Sequence, residues 1–542
     1  MTIRFLKPWN GYQPDAVVSG LTNEAVLIAG GLASDDLDGG NDGRTYEAKL
    51  AADANGNVTG LVGPDGVVPF DVLGLTRPRF LVFGNSLQAI NNTVLSGSTT
   101  TTSAEAKAGA TVISVAAIGT IADGDKIAVA YYDGTILHTT VSGAPSGNDI
   151  TLPTPLEKLV RSGANVLKYT GVLPTNVRRN GGPVYLGMAM LGMPVQFIQG
   201  YGYGGGTMPE LVQDLPRVLE ATKPKYAHLI LPENSMALGS DELIRLLKVA
   251  LRICAGHGVI ALVNTCYPSD SYTAGAQAAS YDAYNAYVRS QMLVDYPLSK
   301  CIDVGDQWLD TARPTLRAPL AGWTDGVHPT ATKYAVIGTY YKEQFALLNI
   351  NDVDMAINSI TTNPYLAGTG GTQSGLQGGS ISPSGYTITA QPGVNAATSV
   401  GPNGGLRIVM SVPGTSDITT TVLTMRMRLT MGSSAASGDQ AMSGFVKLII
   451  TDLTGISMIY PYITYAASSL TYTCGQDAVY TGYAYLYGET VQLEAPALPI
   501  PTGDTYCDLY LYIRPQTGLS NGVSVDVEVL SAGLFPVPAI SH

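Results

Sequence analysis

Between residues 184 and 350, short apolar runs alternate with longer amphipathic ones, and no other feature constrains the fold as tightly. Strands read at 195–199, 226–231, 259–264 and 300–304, and helices at 209–221, 241–255, about 276–294 and 330–348. Leu243, Leu246, Leu247, Ala250 and Leu251 fall at i, i+3, i+4, i+7 and i+8, one face of a helix made to pack on a sheet. Ser240 is the expected N-cap, with Asp241 and Glu242 in the first turn. Upstream, Phe80 to Phe83 supplies a fifth strand. Alternation of this kind predicts a parallel sheet with helices on both faces.

The strand at 80–83 stops at Gly84, and Ser86 follows two residues later. A small residue there lets the chain bend sharply. Ser86 then stands at the carboxyl end of a strand, where open α/β sheets place their ligands. On this stretch alone an ordinary polar turn reads the same way. Three later stretches add to it. Gly204-Gly205-Gly206-Thr207 follows one strand, Pro232-Glu233-Asn234-Ser235 follows another, and Asp325-Gly326-Val327-His328-Pro329 precedes the last helix.

A serine hydroxyl needs an adjacent base, best supplied by a histidine that a carboxylate orients. The chain has 5 histidines. His138 lies in a β-rich stretch, His542 is terminal, His228 is mid-strand and reads as core, and His257 sits in a turn between Gly256 and Gly258. His328 has Asp325 three residues before it.

Taken in order, these four stretches resemble the SGNH (GDSL-type) hydrolase family, from about residue 78 to 350 with one long interruption. The resemblance implies an α/β three-layer, flavodoxin-like domain and a carboxylic ester hydrolase that uses no cofactor or metal. It implies Ser86 as nucleophile, His328 as base and Asp325 as its orienting carboxylate. It assigns the oxyanion donors to the Ser86 amide, the Asn234 side chain and a glycine amide. Gly205 is favoured for the last, with Gly204 and Gly206 open. Tyr201, Tyr203 and Trp323 are candidates for lining an acyl or sugar pocket; the two tyrosines read equally well as packing residues. Two departures stand out. The usual Gly-Asp-Ser is Gly84-Asn85-Ser86, and the usual Gly-x-Asn-Asp is Pro232-Glu233-Asn234-Ser235. Glu233 is expected to point outward, away from the oxyanion, and Ser235 to support its loop less well than an Asp.

The rest of the chain is β-rich. Residues 96–170 form short alternating runs between Asp-Gly and Gly-Asn turns, read as a small β-module inserted in the hydrolase domain (77–95 and 171–350). Beside the active site it serves either substrate binding or as a passive spacer. Residues 351–542 read as a β-sandwich or jelly roll that binds carbohydrate or joins subunits. Tyr483, Tyr485 and Tyr487 share one strand face there. Residues 1–76 contain a helix expected at 23–33, then short strands. The pattern at 5–12 and 23–33 resembles a segment near the start of several phage virion proteins.

A net charge of −12 argues against nucleic acid and anionic membranes as partners. No apolar run is as long as a membrane span, and the first residues lack the apolar core of a signal peptide. The 5 cysteines lack metal spacing and read as free thiols, with a Cys474–Cys507 bridge as the alternative. The expected whole is a phage spike or fibre, located in the virion. It would contact other virion proteins through its N-terminal region, assemble as a homo-oligomer (a trimer by analogy) and remove O-acetyl groups from a bacterial surface polysaccharide. An inert glycan-binding or structural virion protein and a secreted bacterial carbohydrate esterase are the rivals.

Overall fold

The structure is a computed structural model. It describes residues 2–5, 17–19, 33–34, 45–46, 49–52, 58–63, 66–69, 77–89, 93–95, 98–132, 136–170, 176–178, 182–272, 275–310, 312, 319, 323, 326–329, 331–348, 350, 355, 359, 361, 363–412, 423–430, 440–465, 473–474, 489–499, 506–515 and 522–538. The chain divides into two compact units, one of Met1–Pro78 with Pro194–Gln196 and Asn351–Asn358, the other of Arg79–Met193, Phe197–Ile350 and Ser359–His542. In the first unit Thr2–Phe5 pairs with Val17–Ser19 and Ala33–Ser34, and Lys49–Ala52, Val58–Gly63 and Gly66–Pro69 form a three-stranded antiparallel sheet. Residues 23–32 of the expected helix lie outside the described residues.

In the second unit, β1 (Arg79–Gly84), β2 (Gln196–Gly202), β3 (Tyr226–Ile230), β4 (Ile260–Asn264) and β5 (Lys300–Ile302) form one sheet in the order β2-β1-β3-β4-β5. β3 pairs in parallel with β1 and with β4, and β4 with β5. This is the flavodoxin-like order, whose switch point lies between β1 and β3. The helices are α1 (Pro183–Met190), α2 (Met208–Thr222), α3 (Ser240–Gly256), α4 (Ala276–Arg289) and α5 (Ala331–Ala346).

Side-chain alternation along the strands sorts the helices into two layers. Leu81, Phe83, Ala227, Leu229, Ala261 and Val263 join one buried cluster with residues of α2, α3 and α4. On the opposite face Phe80 meets Phe345 of α5 edge to face, His228 meets Tyr341 and Phe345, and Phe197 meets Tyr185 of α1. The predicted face of α3 is the buried one, and each leucine on it contributes roughly 1.5–3 kcal/mol of burial. Its cap differs from expectation: Gly239, at φ 86°, is the N-cap and Ser240 is the first helical residue. His228 is fully buried in the core, and desolvation lowers its pKa to about 3.

All eight residues of α1 are buried. It packs against α5 and against the strand Thr490–Pro499, where the Tyr185 hydroxyl accepts from Glu494 N (2.8 Å) and donates to Glu494 O (3.3 Å). Lys342 of α5 pairs with Glu489 at 2.7 Å.

Within 98–170 the strands pair antiparallel around Ile113, Val115, Ile127, Val129, Ile150 and Val166. From 372 to 538 a six-stranded and a five-stranded sheet face one another, and Gly444 of one touches Leu509 and Ile463 of the other. Along Leu406–Val412 burial alternates strictly, with Leu406, Ile408, Met410 and Val412 inside. Cys507 is buried, and the side chain of Cys474, its partner in the alternative bridge, lies outside the described residues. Tyr483, Tyr485 and Tyr487 lie outside the described residues.

Candidate active site

β1 carries Phe80–Phe83, fully buried or nearly so, up to Gly84. A Cβ on Gly84 would stand 2.2 Å from the carbonyl oxygen of Ile230, so only glycine lets β1 and β3 approach at this point. The chain turns at once. Asn85 N donates to Ile230 O at 3.2 Å, and Ser86 opens a four-residue helix, Ser86–Ala89. The Ser86 Oγ lies 2.9 Å from His328 Nε2, although the two are 242 residues apart in sequence. Both side chains are half-buried. Asp325 lies outside the described residues. Next to it, Gly326 O accepts from Asp270 N at 2.9 Å, and Gly326, at φ 73°, has Asp270 packed where a Cβ would go.

Asn234 follows β3 in the short 3₁₀ helix Glu233–Leu238 and is exposed. Its Nδ2 donates to Gly206 O at 3.1 Å, which fixes the amide and leaves a second N–H on the same nitrogen. The glycine loop lies after β2. Gly206 donates its own amide to Tyr203 O at 2.9 Å, which narrows the oxyanion candidates to Gly204 and Gly205. Gly205 is exposed at φ 70°, with nothing within 4 Å of where a Cβ would be. Thr207 closes the loop as the N-cap of α2 in a capping box with Glu210.

Glu233 differs from expectation, and Ser235 takes part in holding its loop. Ser235 is buried, and its Oγ accepts from Met208 N, the first amide of α2, at 2.8 Å. The serine therefore bonds the Asn234 turn to the start of α2, directly after the glycine loop. Glu233 points inward. It is 9% exposed; its Oε2 accepts from Asn85 Nδ2 at 2.5 Å and its Oε1 from Tyr267 N at 3.4 Å. Burial pushes its pKa up to about 7, against the hydrogen bonds from Asn85 and Tyr267, which favour the charged form. Its own carbonyl accepts from the Tyr272 hydroxyl at 2.7 Å.

Tyr201 and Tyr203 are each 2% exposed and belong to the buried cluster, so packing is the role the structure gives them. Tyr203 stands edge-on to Phe83 at 5.5 Å, donates its N–H to Gly84 O at 2.8 Å and gives its hydroxyl to Asp214. Trp323 is half-buried, edge-on to the Tyr267 ring at 6.0 Å. Sequence reasoning missed Tyr132 altogether. It comes from the 98–170 region and stacks on Tyr203 at 5.1 Å. Arg161 of the same region reaches Glu210 at 3.5 Å. Among the described residues no group of three His, Cys, Asp or Glu could hold a metal ion.

No protein-family model and no curated protein matches the chain. Solved structures are similar to part of it. One is an acetyl xylan esterase, at 15% identity over 32% of this chain and 92% of the other, TM-score 0.26. A second is a member of the lipolytic G-D-S-L family from Veillonella parvula, at 16% identity over 31% and 90%, TM-score 0.27. A third is a family 3 carbohydrate esterase from Clostridium thermocellum, at 14% identity over 31% and 89%, TM-score 0.25. At these values the likeness assigns no role to any residue here.

Proposed function

We propose that the chain is a serine esterase of the SGNH type. The observation that carries this reading is the 2.9 Å contact between Ser86 Oγ and His328 Nε2 at the carboxyl end of the sheet. That distance is within reach for proton transfer from a hydroxyl to an imidazole. Ser86 attacks the carbonyl carbon of a bound ester while His328 takes its proton. The oxyanion receives hydrogen bonds from the second N–H of Asn234 Nδ2 and from the Ser86 and Gly205 amides. The intermediate collapses, and the alcohol leaves with the proton held by His328. Water then attacks the acyl-enzyme by the same route in reverse, releasing the acid. Asp325 orients His328 in this scheme. The test is turnover of p-nitrophenyl acetate by the wild type and by Ser86→Ala; equal rates sink the proposal.

The finer reading is removal of O-acetyl groups from a bacterial surface polysaccharide by a phage spike. Its support is the N-terminal pattern at 5–12 and 23–33, the scarcity of charge at 13%, and the β-rich regions flanking the site. Acetate release from purified capsular polysaccharides, read by mass spectrometry, tests the substrate. Immunogold labelling of virions tests the location, and sedimentation equilibrium tests the trimer.

A further inference from the structure

We propose that Asn85 and Glu233 act as one positioning pair, locking the nucleophile turn to the oxyanion turn, and that the pair works only as one carboxyl group and one amide. This rests on the esterase reading above. Asn85 precedes the nucleophile and Glu233 precedes the oxyanion asparagine, so a bond between them sets the spacing of Ser86 and Asn234. The bond is 2.5 Å long, spans 148 residues of sequence and is buried. Asn85 is 0% exposed.

Each polar atom of Asn85 has a fixed task. Oδ1 accepts from Leu87 N at 3.1 Å, the amide just after Ser86, so Nδ2 has to be the end that faces Glu233. The two departures from the family pattern thus compensate one another. An aspartate at 85 would place two buried carboxylate oxygens 2.5 Å apart. Such a pair cannot doubly ionise without large cost, so one member keeps a proton to well above the usual carboxylate range. The titratable groups around Glu233 do not relieve this. Cys266, Tyr267, Tyr272, Tyr284 and Tyr341 are all held uncharged by burial.

The substitution toward the family's usual residue is therefore the damaging one. kcat on p-nitrophenyl acetate is measured from about pH 5 to about pH 9 for the wild type, Asn85→Asp, Glu233→Gln and Asn85→Asp/Glu233→Gln, with Ser86→Ala as the blank. Each variant is expressed as a ratio to wild type at the same pH, which removes the common titration of the base. Asn85→Asp is expected about tenfold down or more at the alkaline end, recovering toward acid as the pair takes up a proton; coupling of that size is ordinary for residues in contact. The double variant, again one carboxyl and one amide, is expected to return to within about threefold of wild type at every pH. A ratio for Asn85→Asp that is near one and flat with pH overturns the proposal. So does a double variant no better than Asn85→Asp. If Asn85→Asp fails to fold, a folded and active double variant sustains the proposal and an unfolded one overturns it. Loss of the esterase reading is a separate result: wild type and Ser86→Ala would then be equal.

Discussion

The two loops to which the proposed mechanism assigns oxyanion donors are held in opposite ways. The Glu233–Ser235 turn is fastened from below: the two residues flanking exposed Asn234 are buried, and each bonds a different neighbouring segment. The Gly204–Gly206 loop has open space around Gly204 and Gly205 and is pinned at its ends, by Tyr203 on one side and the Thr207 capping box on the other. Both pins are touched by the 98–170 region, through Tyr132 and Arg161. A donor can thus be rigid because buried polar bonds hold it, or because a free glycine span is stretched between two anchors. The first leaves sensitivity to charge, the second sensitivity to the neighbouring β-region.

Substitutions at four positions break or sharpen this contrast. Both loops matter only if Ser86 is the atom they serve. Ser86→Ala should cost about 10⁴-fold or more in kcat, with a nearly unchanged melting temperature, because one half-buried hydroxyl is lost. Removing the donor from the fastened turn, Asn234→Ala, should lower kcat by about 10²–10³ with little change in KM, as steady-state kinetics would show. Wild-type kcat in that variant would take Asn234 out of the oxyanion hole. Ser235→Ala orphans the buried Met208 amide, costing about 1–3 kcal/mol in a denaturant melt. It should lower kcat as well, since it frees the Asn234 turn from α2. The smallest effect belongs to the pinned loop. Tyr132→Ala removes a ring pair worth about 0.5–1.5 kcal/mol and should lower kcat a few-fold, while Tyr132→Phe keeps the stack and the rate. If Tyr132→Ala leaves kcat untouched, the β-region is a passive neighbour.

A linked measurement follows from Glu233. Its pKa is raised from the usual 4.5 to about 7, so the folded state holds this proton more tightly than the unfolded one. Stability from this group is therefore present at low pH and is lost as pH rises from about 4.5 to about 7, on the order of 3 kcal/mol in all. Melts of wild type against Glu233→Gln should differ by a pH-dependent amount over that window and by a constant above it.

Periodicity and strand ends carried much of this architecture in the sequence. β1 to β5 and α2 to α5 come from apolar periods and turn signals that are local, and they lie within a few residues of where sequence places them. α1 was not legible because it is apolar on every side and so has no amphipathic period to read. The inward turn of Glu233 was hidden for another reason. A lone carboxylate beside an oxyanion site is read as outward by default, and its partner Asn85 is far away in sequence. The stacking of Tyr132 on Tyr203 likewise depends on how two regions distant in sequence meet, which no local pattern encodes.

The buried helix α1 has a consequence for how such a chain can be assembled from parts. Its apolar surface is shared between α5 and the strand Thr490–Pro499, and the Tyr185 hydroxyl is bonded twice to the backbone of that strand. The α/β region and the sandwich are therefore not interchangeable cassettes. A recombination event that swapped in a different C-terminal region would leave α1 bare unless the newcomer supplied its own strand with the same shape and the same two backbone groups. Cutting and joining near residue 350 parts α1 from the strand that covers it, so the two regions have to diversify together.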